Sequence, residues 1–140
     1  LQHCHPILDV NSYLKRLNFL LNKDKEKDPN MKWLILYFCE DEDVIYVETK
    51  IKQIKEECNK YGDLVFERAG KGINILISDW QQLLLMSCCH HNIIANSSFS
   101  WWGAYLNQNI NKVIIGPKTW FGPAGPQDQD DTIPENWIKI

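Results

Sequence analysis

Residues 96–100 carry the side chains of this chain that are best suited to chemistry. They place one amide and three hydroxyls around an aromatic ring: Asn96, Ser97, Ser98, Phe99 and Ser100. The apolar stretch before them predicts a strand, and the residues after them predict a helix. Hydroxyls beside the free backbone N–H groups of a helix N-terminus can cap the helix, and they can also bind a diphosphate. Because there is no glycine-rich loop, a phosphate here would be bound by side chains and amides.

Acidic side chains supply a second set of candidates. Four of them follow the apolar run 33–39 without interruption: Glu40, Asp41, Glu42 and Asp43. Such a run is typical of a solvated turn or of a first helical turn that complements the helix dipole, and an acid beyond a strand can also bind a ribose or a base. Asp79 precedes another helical pattern, where it can serve as the helix N-cap or as a nucleotide contact.

The cysteines and histidines favour a structural role. The five cysteines form no repeating framework. The segment Cys88-Cys89-His90-His91 has metal-binding residue types, but adjacent residues point in different directions and no second Cys/His pair lies at zinc spacing. We therefore expect reduced, buried or half-buried thiols and no metal site.

Helix and strand patterns alternate along the chain. Helical spacing of apolar residues predicts helices over 10–22, 44–62, 79–86 and 97–108. Short apolar runs predict strands over 33–39, 64–68, 91–96 and 112–117, with a loop-rich tail after them. The run at 33–39 is continuous, which predicts a strand buried on both faces.

This alternation predicts the fold class and the position of a ligand. It favours an α/β domain with a Rossmann-like, doubly wound parallel sheet, in which ligands bind beyond the carboxyl ends of the strands. The length of 140 residues and the 44% hydrophobic content suit one domain over residues 1–140. A net charge of −3 argues against nucleic-acid binding. No apolar run approaches the roughly 20 residues of a membrane-spanning helix.

The segment 96–107, NSSFSWWGAYLN, resembles the C-terminal motif of family 11 glycosyltransferases, the α-1,2-fucosyltransferase type. The resemblance includes the segments LMS at 85–87 and HNIIA at 91–95 before this motif, and VIIGPKTWF at 113–121 after it. It ends in Ile133-Pro134 and Trp137-Ile138. Upstream, the segment YFCED at 37–41 stands where the family usually has Phe-Ser-Asp-Asp before a helix. The resemblance thus covers nearly all of the chain.

The resemblance implies the C-terminal, donor-binding half of a GT-B-type enzyme. Such an enzyme transfers L-fucose from GDP-fucose to a galactoside hydroxyl in α-1,2 linkage, with inversion and without a metal or other cofactor. The partners implied are a nucleotide sugar and a glycan acceptor. The compartment would be the cytoplasm for a bacterial or viral member and the Golgi lumen for a truncated membrane-anchored one.

The resemblance also implies roles for single residues. Three serines would meet the diphosphate: Ser97, Ser98 and Ser100. Asn96 and Phe99 would shape the turn, and three acids would be candidates near the nucleotide: Glu40, Asp41 and Asp79. The tryptophans Trp101 and Trp102 would mostly pack the helix on the sheet.

Two features leave alternatives open. The family's His-x-Arg-Arg-Gly-Asp motif is absent from the chain and by position would precede residue 1, and the resemblance assigns no general base here. We therefore expect a part of a longer enzyme, which by itself binds a GDP-sugar weakly and transfers it slowly or not at all. The alternatives are a glycosyltransferase that uses another nucleotide sugar, and a non-catalytic carbohydrate-binding or interaction module of the same fold.

Overall fold

The computed structural model describes residues 7–70 and 77–140 and divides the chain into two compact units. The amino-terminal unit is Val10–Ser78, and the carboxyl-terminal unit is Asp79–Ile140 together with residues 7–9. Both units combine helices with parallel strands. The predicted α/β class is therefore confirmed. The single domain over residues 1–140 stays a prediction.

In the described part of the amino-terminal unit, two α-helices alternate with two strands. They are α1 (Val10–Lys25), β1 (Trp33–Tyr37), α2 (Val44–Cys58) and β2 (Leu64–Arg68). All four elements were predicted, with bounds that differ by several residues at some ends. A short 3-10 turn, Asn59–Tyr61, continues α2, and Gly62 closes it at a φ of 92°. This left-handed backbone is the reason that a glycine ends the helix.

The two strands of this unit pair in parallel, in a register that joins Leu34 to Val65. The prediction that the first strand is buried on both faces is wrong, because Leu34 is 56% exposed and Val65 is 51% exposed. A continuous apolar run does not distinguish a strand covered on both faces from a strand with one open face.

The described residues of the carboxyl-terminal unit form two α-helices and three short strands. They are α3 (Asp79–Ser87), β3 (Asn92–Ile93), α4 (Ser98–Tyr105), β4 (Ile114–Gly116) and β5 (Ile138–Lys139). The strands are parallel in the order β3-β4-β5, and the central strand β4 is buried throughout. Sequence reasoning missed β5, because it has two residues and lies in the proline-rich tail.

The described strands form two sheets, one of two strands and one of three. The sequence predicted a single doubly wound sheet instead. Apolar runs identify strands, but they carry little information on which strands pair, because pairing depends on contacts that are distant in sequence.

The helix α4 is fixed by packing on two sides. Its Ala104 is fully buried in a cluster that includes residues of the sheet and of the tail: Ile94, Ile114, Trp120, Ile133 and Trp137. On another side Gly103 lies against α3, since a Cβ atom at this position would be 2.8 Å from the Cβ atom of Met86. The small residues at 103 and 104 therefore allow close packing of the helix.

A buried amide joins the end of α4 to the loop before β3. Asn107 is 0% exposed, and its Nδ2 atom donates to the Cys89 carbonyl and to the Asn92 Oδ1 atom, at 2.7 Å each. Its Oδ1 atom accepts the N–H group of Asn109 at 2.8 Å. One side chain thus satisfies three polar groups, and their positions depend on it.

We expect Asn107→Ala to destabilise the chain by about 1–3 kcal/mol, because it leaves buried polar groups without partners. Asn111→Ala is the matched control, since the Asn111 side chain is exposed and only its backbone N–H donates to Asn109. Urea unfolding followed by circular dichroism measures both free energies of unfolding. Equal stability of the two variants would contradict the role given to Asn107.

Candidate ligand site

The carboxyl ends of β3, β4 and β5 lie at one edge of their sheet, because the three strands are parallel. At this edge the chain leaves β3 through residues 94–97 and enters α4 at Ser98. It leaves β4 through Pro117 and reaches Trp120. In parallel sheets this is the edge where ligands bind.

The first turn of α4 presents unpaired donors. Ser97 is the N-cap, with extended backbone at φ −133° and ψ 129°, and its side chain makes no capping hydrogen bond. The N–H of Trp101 donates to the Ser97 carbonyl at 3.0 Å. The preceding N–H groups of the helix have no intrahelical acceptor, as at every helix start. The side chains of Ser97 and Ser98 are exposed. An anion would therefore meet two hydroxyls and the positive end of the helix dipole.

The Ser100 side chain forms hydrogen bonds within the turn, and the Asn96 side chain joins the turn to the loop after β4. The Ser100 hydroxyl donates to the Ser97 carbonyl at 3.0 Å, with the Ala95 carbonyl at 3.2 Å as a second acceptor. The Asn96 Nδ2 atom donates to the Trp120 carbonyl at 3.2 Å. The Asn96 contact fits the predicted role of shaping the turn. The diphosphate contacts assigned to the serines remain predictions.

Gln129 is a residue of this site that sequence reasoning missed. Its Oε1 atom accepts the N–H groups of Trp120 and Phe121 at 2.8 and 2.9 Å. These bonds fix the backbone of the loop after β4, in which the Trp120 carbonyl accepts from the Asn96 side chain. No local pattern marks Gln129, because its partners lie eight and nine residues earlier in a segment without periodicity.

The two tryptophans of α4 differ from each other. Trp101 packs against the core, and its Nε1 atom donates to the Thr132 carbonyl at 2.9 Å. Trp102 is 49% exposed and makes an edge contact with Tyr105 at 5.5 Å between ring centroids. The prediction that both rings mostly pack the helix is therefore correct for Trp101 and wrong for Trp102, because the Trp102 ring lies on a side of α4 that is open to solvent.

The acidic candidates lie apart from this turn in the sequence, and their side chains are exposed. Glu40 and Asp41 follow β1 in the amino-terminal unit, whereas Asp79 begins α3 in the carboxyl-terminal unit. Asp41 is 82% exposed and pairs with Arg68, its Oδ1 atom 3.3 Å from the arginine Nη1 atom. This contact joins the carboxyl ends of β1 and β2. Nucleotide contacts by the acids remain predictions.

The cysteine and histidine segment is tied into the fold by hydrogen bonds. The Sγ atom of Cys89 donates to the Leu85 carbonyl at 3.5 Å, and the Nδ1 atom of His91 accepts the N–H of Val113 at 2.9 Å. The cysteines within the described residues are free thiols: Cys39, Cys58, Cys88 and Cys89. Across residues 7–70 and 77–140, no three His, Cys, Asp or Glu side chains gather as metal ligands. No helix in the same ranges is long and apolar enough to cross a membrane.

A helix start with small hydroxyls, placed at the carboxyl edge of parallel strands, is typical of α/β domains that bind phosphate-containing ligands. The chain belongs to glycosyl transferase family 11, whose family model matches residues 21–140. The family resemblance noted in the sequence is thereby confirmed. The matched range includes most of the amino-terminal unit, residues 79–140 of the carboxyl-terminal unit, and the turn at the start of α4.

Two relatives from Escherichia coli are similar to parts of the chain. An O-antigen biosynthesis glycosyltransferase, WbnK, is 45% identical over 58 residues, which cover 41% of this chain and 18% of the relative. An alpha-1,2-colitosyltransferase is 37% identical over 87 residues, which cover 61% of this chain and 29% of the relative. The chain thus aligns with less than a third of either relative. No solved structure matches it.

The thiols are expected to differ in reactivity. Burial raises the pKa of Cys58, which is 0% exposed, and so lowers its thiolate fraction at a given pH. Cys88 is exposed and should be alkylated first at pH 8. Peptide mass spectrometry after timed iodoacetamide treatment measures both rates. Labelling of Cys58 as fast as Cys88 before unfolding would contradict its burial.

Proposed function

We propose that this chain is the donor-binding, carboxyl-terminal part of a GT-B-type glycosyltransferase with a Rossmann-like fold. Its donor is GDP-fucose, and the acceptor is a galactoside hydroxyl that is joined in α-1,2 linkage. Membership of glycosyl transferase family 11 supports the reaction class. The carboxyl edge of the β3-β4-β5 sheet supports the placement of the donor.

The observation that carries this proposal is the first turn of α4. Exposed hydroxyls of Ser97 and Ser98 stand beside N–H groups that the helix leaves unpaired. Such donors attract negative charge, and a diphosphate accepts several hydrogen bonds at once. In this proposal the two serines contact the diphosphate, while Asn96 and Ser100 keep the turn in shape through their bonds to the backbone.

The reaction breaks the bond between the sugar C1 atom and the β-phosphate oxygen, and GDP leaves with the electron pair. A new bond forms between C1 and the acceptor oxygen, whose proton passes to a base. The charge that develops on GDP in the transition state is stabilised by donors aimed at the phosphate. The first turn of α4 supplies such donors, and the transfer needs no metal ion.

Similarity to an alpha-1,2-colitosyltransferase makes GDP-colitose a second candidate donor. Colitose is fucose without one hydroxyl. GDP-colitose and GDP-fucose therefore have the same nucleotide and differ only at that position of the sugar. A site that hydrogen-bonds the additional hydroxyl discriminates strongly against the sugar that lacks it. A titration that tests the donor therefore has to include both GDP-fucose and GDP-colitose.

The test is a titration of the full chain followed by NMR chemical shifts of the backbone amides. GDP, GDP-fucose and GDP-colitose should shift the signals of residues 97–100, and UDP-sugars should not. Shifts with UDP-sugars alone, or none at these residues, would overturn the proposal. Added EDTA should leave the GDP shifts unchanged.

The substitution Ser98→Ala should weaken GDP binding by about 3- to 10-fold, because it removes one hydroxyl donor to a charged group. Ser87→Ala is the control, since its hydroxyl donates to the Leu84 carbonyl at 2.7 Å on α3. Isothermal titration calorimetry measures both affinities. Equal GDP affinities of wild type and Ser98→Ala would show that the Ser98 hydroxyl does not contact the diphosphate.

A further inference from the structure

The carboxyl-terminal unit is poor in positive charge. Residues 79–140 contain five acids and three lysines, and the lysines are Lys112, Lys118 and Lys139. Both arginines of the chain lie in the amino-terminal unit. Arg16 is buried in α1 and donates to the Ser12 hydroxyl, and Arg68 pairs with Asp41. A diphosphate bound at α4 would therefore depend on a lysine for a cation within this unit.

Two of these lysines are already engaged. The Nζ atom of Lys112 donates to the Asn107 carbonyl at 2.5 Å, before β4 begins. The Nζ atom of Lys139 lies 3.5 Å from the Asp130 carbonyl. Lys118 is exposed, and its ammonium has no hydrogen bond or ion pair with the described part of the chain. It is the lysine of this unit that remains available for a ligand.

The backbone places Lys118 at the ligand edge. β4 ends at Gly116, and the N–H of Lys118 donates to the Ile140 carbonyl at 3.3 Å, which extends the pairing with β5 beyond the strand end. On the other side of β4, the parallel register joins Ile93 to Ile115. The N–H of Ile94 donates to the Ile115 carbonyl at 2.9 Å, and beyond this bond Asn96 follows β3 at the same edge of the sheet at which Lys118 follows β4. Asn96 directly precedes the Ser97 N-cap of α4.

A second contact joins the same two loops. The Asn96 Nδ2 atom donates to the Trp120 carbonyl, two residues after Lys118. Gln129 holds the backbone of Trp120 from the other side. The loop that carries Lys118 is therefore attached to the turn that precedes α4, and its backbone position is fixed at both of its ends.

We propose that Lys118 binds the diphosphate of the nucleotide sugar, and that its ammonium pairs with the phosphate oxygens held at the first turn of α4. This inference rests on the proposed function and adds a cation that the sequence analysis did not assign. The lysine would stabilise the charge of the bound donor and of the departing GDP. It is a binding residue of the donor site.

The test measures the affinities of GDP, GMP and guanosine for the full chain and for Lys118→Met. Loss of one ammonium should weaken GDP binding by about 5- to 20-fold and GMP binding less, and should leave guanosine binding unchanged. The difference for GDP should shrink at high salt, because exposed charges are screened. Lys118→Arg should retain most of the affinity.

Two lysine variants serve as controls. Lys52→Met removes an exposed charge from α2, and Lys139→Met removes a lysine of the same sheet edge that lies by the Asp130 carbonyl. Both should bind GDP within about 2-fold of wild type, the range expected for a distant or engaged surface charge. Circular dichroism establishes that each variant is folded.

The outcomes separate the two proposals. Suppose that wild type binds GDP with shifts at residues 97–100 and that Lys118→Met binds GDP equally well. This result would overturn the role of Lys118 and leave the proposed function standing. An equal loss for GDP and guanosine would also overturn that role, since the effect would then be independent of phosphate. Wild type that binds no guanine nucleotide would overturn the proposed function and this inference together.

Discussion

The parallel pairing of β4 with both of its neighbours is the constraint on which the ligand site depends. Ile114, Ile115 and Gly116 are buried, and their register with β3 and β5 sets the direction of all three strands. Parallel strands bring their carboxyl ends to a single edge, so the start of α4 and the loop after β4 lie next to each other. Gly116 belongs to this packing, because a Cβ atom there would lie 3.0 Å from the Ile133 side chain.

The packing of α4 holds the candidate ligand site in place at this edge. Ala104 and Trp101 fix the inner face of the helix on the core, and Gly103 lets α3 approach it closely. Because these contacts fix the body of the helix after its first turn, we expect the first-turn donors to need little reorganisation when an anion binds. The hydrogen bonds of Asn96 and Ser100 complete the turn from the strand side.

The sequence predicts the order and type of most elements, because helix and strand periods are local. It predicts the turn at 96–100 for the same reason, and the family follows from that motif and its neighbours. Local patterns carry no information on contacts between residues that are distant in sequence. They therefore do not predict the two sheets, the exposure of Leu34, or the pairing of Arg68 with Asp41 across 27 residues. Strand β5 is missed because two residues are too few to show the alternating pattern of a strand. The position of Lys118 at the sheet edge is missed because it depends on strand pairing.

The central claim is that the first-turn amides of α4 hydrogen-bond to the diphosphate of a guanine nucleotide. Amide hydrogen exchange measured by NMR, with and without saturating GDP, tests it directly at Ser98, Phe99 and Ser100. GDP should slow exchange at these amides, while guanosine should leave it unchanged, because only a bound phosphate occupies donors that otherwise face water. Saturating GDP binding with unchanged exchange at all three amides would contradict it.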